Sequence, residues 1–192
     1  MKKIKRSLPG NHMTTQTPID TTDLRRALGR FGTGVTIVST LDALGSPVGV
    51  TANSFSSVSL QPPIVLWSLR RASPSLAAFD ATGRFVINVL ALEQVELSRR
   101  FASAVPDKFT GVDHAPGLCG LPVVQGCAAV FECRTEQRLE VGDHILFLGR
   151  VESYGHRLGP TLLYCQGDYA QGVTLEASAA GAKAQATAAG AA

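Results

Sequence analysis

The sequence predicts a mainly β protein, an antiparallel barrel carrying a few short helices. Short β-branched or apolar runs such as GVTIVST (34–40), PIVLWSL (63–69) and RFVINVL (84–90) outnumber the helical patterns. Turn-like stretches, not helical crossovers, join most of them, which argues against a doubly wound parallel sheet. Apolar residues make up 45% of the 192 against 17% charged, enough to bury one sizeable core.

Taken in order, Thr21 or Thr22 is a candidate cap for a short helix in DLRRALGRF, with Leu24, Leu28 and Phe31 on one side. GVTIVST and VGVTA (48–52) read as strands, and LDALGSP between them as a turn, which makes a hairpin. PIVLWSL is short, bounded by Pro62-Pro63, and apolar enough for a strand buried on both faces. SPSLAAFDATG (73–83) reads as a helix of one to two turns stopped by Gly83. RFVINVL is the next strand and LEQVELSRRF (92–101) the next helix. A Pro/Gly-rich connection runs from about 103 to 126. Three strands close the pattern: CAAVFECRTEQRLE (127–140), HILFLGRVESYG (144–155) and TLLYCQGDY (161–169).

This places one domain at 20–173. Residues 1–19 are expected to form a disordered arm, an upstream extension or an expression remnant with Met13 as the natural start. Residues 174–192 are expected to be a disordered Ala/Gly-rich tail. The net charge is +3, but Lys2, Lys3, Lys5 and Arg6 lie in the arm, and without them the balance falls to −1. A body that close to neutral argues against nucleic-acid binding over a basic face. The arm lacks the apolar stretch of a secretory signal, and no run approaches the length needed to cross a bilayer. Cys119, Cys127, Cys133 and Cys165 form no C-x-x-C pair, so the expectation is reduced thiols in a cytoplasmic protein without a metal site.

Standard nucleotide cradles are missing. The glycines at 29, 32 and 34 do not match G-x-G-x-x-G, and they run from helix to strand, the reverse of a dinucleotide fingerprint. There is no phosphate-loop motif and no G-x-S-x-G elbow. The stretch GVTANSFSSVSL (49–60) is instead dense in small hydrogen-bonding residues. Alternation puts Thr51 and Asn53 on one face of an extended segment, Ala52 and Ser54 on the other. Side chains that short let a flat ring approach the backbone, and the donor–acceptor edge of an isoalloxazine suits such a row. A serine-rich loop that satisfies its own backbone is the other reading.

SLRRASPS (68–75) brings Ser68, Ser73 and Ser75 together with Arg70 or Arg71 just before a helix, a competent phosphate site or a solvated, capped turn. His144 opens a strand after Gly-Asp. There it either meets a nicotinamide or supplies a proton near a reduced ring, or it pairs with Asp143 at the strand edge. Arg100 is a candidate for a phosphate or ring edge, although a charge near a helix C-terminus is ordinary. His114, in a loop, receives no role.

In this order RFGTGVTIVST, GVTANSFSSVSLQPPIVLWSL, SPS, GRFVINVL, LSRRFA, DKF and GDHILFLGRV resemble the short-chain flavin reductase family, over roughly residues 22–170. These are the small reductase components of two-component flavin-dependent monooxygenases. The resemblance implies a homodimer of split β-barrels that bind FMN or FAD in a groove near the dimer interface. It places Thr51, Asn53 and Ser54 against the isoalloxazine, and Ser68, Leu69, Arg70 and Ser75 at the phosphate and ribityl chain; the reading of the residues themselves adds Ala52 beside the ring and Ser73 at the phosphate. Arg100 and Phe101 become a further flavin contact, and His144 the residue that meets NADH or NADPH. The implied reaction moves a hydride from the nicotinamide to the flavin, which then leaves for a separate monooxygenase. The Arg70–Arg71 pair is more basic than the family pattern, and the alanine-rich tail has no counterpart in it. Two other functions use the same residues: a carrier or oxidase that retains its flavin, and a non-catalytic barrel that stores a nucleotide or haem-like ligand.

Overall fold

The computed structural model describes residues 19–172. The expected arm and tail lie outside them, apart from Ile19. Helix α1 (Thr21–Leu28) leads into strands β1 (Thr33–Gly34), β2 (Thr36–Leu41), β3 (Pro47–Ala52), β4 (Ser56–Leu60) and β5 (Pro63–Arg70). Helix α2 (Leu76–Thr82), β6 (Arg84–Val89), a 3-10 turn (Leu92–Gln94) and α3 (Val95–Ala102) follow. The chain ends through β7 (His114–Pro116), β8 (Pro122–Val124), β9 (Ala129–Val141), β10 (His144–His156), β11 (Leu162–Cys165) and β12 (Asp168–Gln171).

Seven strands form one antiparallel sheet in the order β3-β2-β6-β9-β10-β5-β4. The sheet is curled, because its two ends share one core. Val50 and Ala52 from β3 pack in the same cluster as Val65, Trp67 and Leu69 from β5, with Phe85, Ile87 and Phe147 between. Trp67 stacks on Phe147 with centroids 4.9 Å apart and meets the Phe79 edge at 4.9 Å. Strands β3 and β5 nevertheless form no ladder, so the barrel is split along that seam. The expected mainly β class, with short helices on the periphery, is the observed one.

A second cluster lies on the other face of β2, where Ile37 and Leu90 pack with Phe101 of α3, Phe109 and Leu162. Gly49 permits this. A Cβ there would stand 2.6 Å from the Phe101 ring, so only glycine lets α3 lie against β3. Asn88 is wholly buried and satisfied: Nδ2 donates to Ile37 O (3.0 Å) and Ser39 Oγ (2.9 Å), and Oδ1 accepts from Val124 N (2.9 Å). It ties the 103–126 connection to the sheet.

Several local expectations change. Asp20, not Thr21 or Thr22, caps α1, its Oδ1 accepting from Thr22 N (2.8 Å) and Asp23 N (3.3 Å), since a carboxylate is both the stronger acceptor and favoured at the positive helix end. The apolar side of that helix stays outside, with Leu28 66% and Phe31 78% exposed. β5 buries Val65, Trp67 and Leu69 fully, but Ile64, Leu66 and Ser68 only halfway, so one face rather than two is sealed. SSVSL (56–60) is an edge strand on β5. TLLYCQGDY is two strands, because Gln166 and Gly167 turn with positive φ and fold β12 back on β11. The long connection holds the small β7–β8 hairpin. No helix among the described residues is long and apolar enough to cross a membrane.

Candidate functional site

The seam is the site. A cleft of about 1050 Å³ opens where β3 leaves the sheet beside the end of β5, with the α2 approach and the loop after α3 as its other walls. That volume stands at the top of the roughly 300–1,000 Å³ common for cofactor sites.

Thr51, Ala52, Asn53 and Ser54 all line it. The alternation read from the sequence governs their bonds. Thr51 Oγ1 faces α3 and donates to Ser98 O (2.7 Å), while Ala52 turns into the core and its carbonyl accepts from Thr36 Oγ1 (2.7 Å). Asn53 is exposed, and its carboxamide makes no hydrogen bond among the described residues. Ser54 Oγ accepts from Ser68 N (2.9 Å) and donates to Ser68 O (3.2 Å), bridging to β5.

Ser68, Leu69 and Arg70, the last residues of β5, form the opposite wall, and register places His144 directly beside Arg70. Leu69 is buried and contributes mainly backbone. Beyond them Ser73 N donates to Arg70 O (2.9 Å), and Ser73 Oγ accepts from Ser75 N (3.3 Å), which folds the loop back toward the cleft. Ser75 precedes α2 without using its hydroxyl as a cap. Arg71 reaches Glu140 at 4.0 Å, whereas Arg70 forms no ion pair among the described residues. His144 is half exposed, its Nδ1 2.8 Å from Asp143 Oδ1, so the strand-edge pairing and the cleft position are both realised. That bond holds the Asp143 carboxyl below the usual carboxylate range.

Arg100 is the exception. Its neighbour Phe101 turns inward to the core and the cleft wall, and successive helical side chains diverge by about 100°. Arg100 therefore leaves the cleft, and Nη2 donates to Thr110 O (2.6 Å) and Asp107 O (3.3 Å). It braces a turn instead of lining the site. Sequence reasoning also missed Lys108, which lines the cleft with Nζ donating to Phe101 O (2.8 Å); burial pushes its pKa down. Missed as well was a small annex of about 190 Å³ beneath Thr51 and Asn53, where Ser98 Oγ and Tyr169 Oη are hydrogen-bonded at 2.8 Å. Lys108 lies in the quoted DKF, but nothing in its spacing marks a side chain folded back under α3.

The donor set suits a flavin nucleotide. Small side chains floor the shelf, and the Asn53 carboxamide, Ser75 hydroxyl and Arg70 guanidinium have no partner among the described residues. Fold and site together define a β barrel open along one seam, with a cleft lined by small and polar side chains there.

Comparison with known proteins gives the class a family. Residues 28–172 match the profile of the family described as "Flavin reductase like domain". Over 146 residues the chain is 44% identical to "Probable flavin reductase" of Rhizobium meliloti (strain 1021), covering 76% of this chain and 47% of that protein. The chain thus spans about half the length of that relative. It is 40% identical over 154 residues to the "Flavin-dependent monooxygenase, reductase subunit HsaB" of Mycobacterium tuberculosis (strain CDC 1551 / Oshkosh), covering 79% and 82%. Among solved structures, NADH:FAD oxidoreductase SgcE6 of Streptomyces globisporus C-1027, in complex with NAD and FAD fragments, superposes with a TM-score of 0.77 at 35% identity over 81% of this chain and 94% of that one. The chain belongs to the flavin reductase like family.

Proposed function

We propose that the chain is an NAD(P)H:flavin oxidoreductase, which reduces FMN or FAD in the seam cleft and releases it to a separate flavin-dependent monooxygenase. One observation carries this reading: the split brings residues 51–54, 68–70 and 73–75 together with His144 around one open cleft. The name of the Mycobacterium relative, a reductase subunit of a monooxygenase, supports the separate partner. A bound flavin supplies the redox chemistry, accepting the hydride that leaves the nicotinamide.

The chain's part is to bind and orient. Arg70, Ser73 and Ser75 hold the phosphate, with charge and hydroxyls converging from one loop. Thr51 through Ser54 lie along the ring edge, where Asn53 offers both a donor and an acceptor. His144 meets the nicotinamide at the cleft wall. The walls keep the two rings together and limit water, which is the chief protein contribution to such a transfer.

A homodimer belongs to the same reading. Leu28 of α1 and Phe31 just after it, with Val58 and Leu60 of the edge strand β4, are exposed in the single chain, and a second copy would cover them. Cytoplasmic placement is consistent with four free cysteines. The test crosses NADH and NADPH with FMN and FAD in excess over protein and follows flavin bleaching. Many turnovers with at least one pair are expected; none with any of the four pairs would discard the proposal.

A further inference from the structure

We propose that Asp143 is a positioning residue for His144: it fixes the neutral ring with its proton on Nδ1 and leaves Nε2 as a hydrogen-bond acceptor at the cleft. This end of the site then selects a ligand that presents N–H donors, such as a carboxamide. The inference rests on the reading of the cleft as a nicotinamide and flavin site, and it assigns the direction of the hydrogen bond there.

The geometry comes first. Asp143 Oδ1 stands 2.8 Å from His144 Nδ1, and Nε2 has no partner among the described residues. A carboxylate can only accept, so the proton of this bond sits on the imidazole at Nδ1. In a neutral ring the other nitrogen then carries a lone pair. Asp143 is ionised at neutral pH, since the hydrogen bond to His144 holds its carboxyl below the ordinary range.

The other charges around the ring do not compete. Arg70, opposite in register, is a cation and cannot take the Nδ1 proton. Glu140 is engaged by Arg138 at 3.5 Å and Arg71 at 4.0 Å. The turn also holds Asp143 in place without its side chain, because its carbonyl accepts from Arg71 N at 2.9 Å. Removal of the carboxylate therefore leaves the backbone anchor intact. The pair is exposed, so its effect is modest: a bias of roughly 2- to 10-fold in the ratio of ring tautomers. Toward the upper end of that range the bias outweighs the intrinsic preference of a neutral histidine ring for its Nε2–H form.

Two measurements test this on the full chain. Ring ¹⁵N shifts are recorded on the alkaline plateau of the histidine titration, with His144→Gln used to assign the His144 signals. The native protein should show a protonated Nδ1 and a bare Nε2, and Asp143→Ala should move the ratio several-fold toward a protonated Nε2. A protonated Nε2 in the native protein, or no change in Asp143→Ala, overturns the proposal. This arm needs no turnover, so it stands whether or not the chain reduces flavin.

The second arm compares KM for NADH with KM for the reduced 3-acetylpyridine dinucleotide, which lacks the carboxamide N–H. Native protein should favour NADH by roughly 5-fold or more, and Asp143→Ala should narrow that gap. Equal KM values in the native enzyme would overturn the acceptor role and leave the reductase activity standing.

Discussion

Ser54 and Ser68 exchange two hydrogen bonds across the seam of the barrel. Ser68 N donates to Ser54 Oγ at 2.9 Å, and the same hydroxyl donates to Ser68 O at 3.2 Å. A side chain here stands in for the ladder rung that β3 and β5 lack. Ser54→Ala leaves a half-buried N–H and C=O without that partner, so it should cost about 1 kcal/mol of stability and loosen the cleft wall. A thermal melt reads the first effect, and a flavin titration reads the second as a several-fold loss of affinity.

Asn53→Asp should weaken flavin binding about tenfold or more. It replaces a neutral donor and acceptor with an acceptor-only charge beside the shelf. Fluorescence titration with FMN and FAD measures it, and an unchanged affinity would count against the position assigned to Asn53.

The two adjacent arginines should behave differently. Arg71 already reaches Glu140, whereas Arg70 lines the cleft without an ion pair among the described residues. Arg70→Ala should lower affinity for phosphorylated flavin about tenfold and flatten its salt dependence. Arg71→Ala should change affinity less than threefold, by rim-charge standards. Titrations at two ionic strengths compare them.

Gly49→Ala should destabilise the protein by about 1–3 kcal/mol, since the new methyl meets the Phe101 ring at 2.6 Å and α3 must shift. Denaturant unfolding reads the loss. Flavin affinity should fall with it, because Phe101 and the loop after it form one wall of the cleft.

The buried thiols set an alkaline limit. Burial pushes Cys127 up to about 11 and Cys133 up to about 12 from an ordinary 9.0. The folded values exceed the unfolded ones, so the unfolded chain releases these protons first. The stabilisation is full below about pH 9 and is lost as pH rises through 11 and 12. The denaturation midpoint should therefore decline above pH 9. At pH 8 iodoacetamide should modify exposed Cys119 but neither Cys127 nor Cys133 until the chain is unfolded, as peptide mass spectrometry would record.

What the sequence made legible divides along the range of the interactions. The β2–β3 hairpin, the Gly83 stop and the faces of Thr51 through Ser54 follow from side-chain period and turn chemistry, both local. The resemblance then linked pieces far apart in the chain, among them SLRRASPS and GDHILFLGRV, which register joins at Arg70 and His144. The misses are tertiary. Arg100 and Phe101 are adjacent letters, and only the packing of Phe101 on Gly49 decides which of them meets the cleft. Lys108 enters because the chain doubles back beneath α3. The half-covered outer face of β5 could not be told from a sealed one, since Ile64 and Leu66 are apolar either way. The α1 cap lies one or two positions ahead of the expected Thr21 or Thr22, within the ordinary uncertainty of helix ends.

The missing ladder between β3 and β5 also bears on how long cargo stays. A molecule seated between strands that never pair can depart sideways through the gap, without any main-chain bond having to rupture or any lid to swing. On the proposed reading, residence time is then governed by the contacts of Asn53, Ser75, Arg70 and their neighbours, a small number of separable grips. Tightening one of them should lengthen each visit and slow traffic through the protein, even if every hydride moved as fast as before.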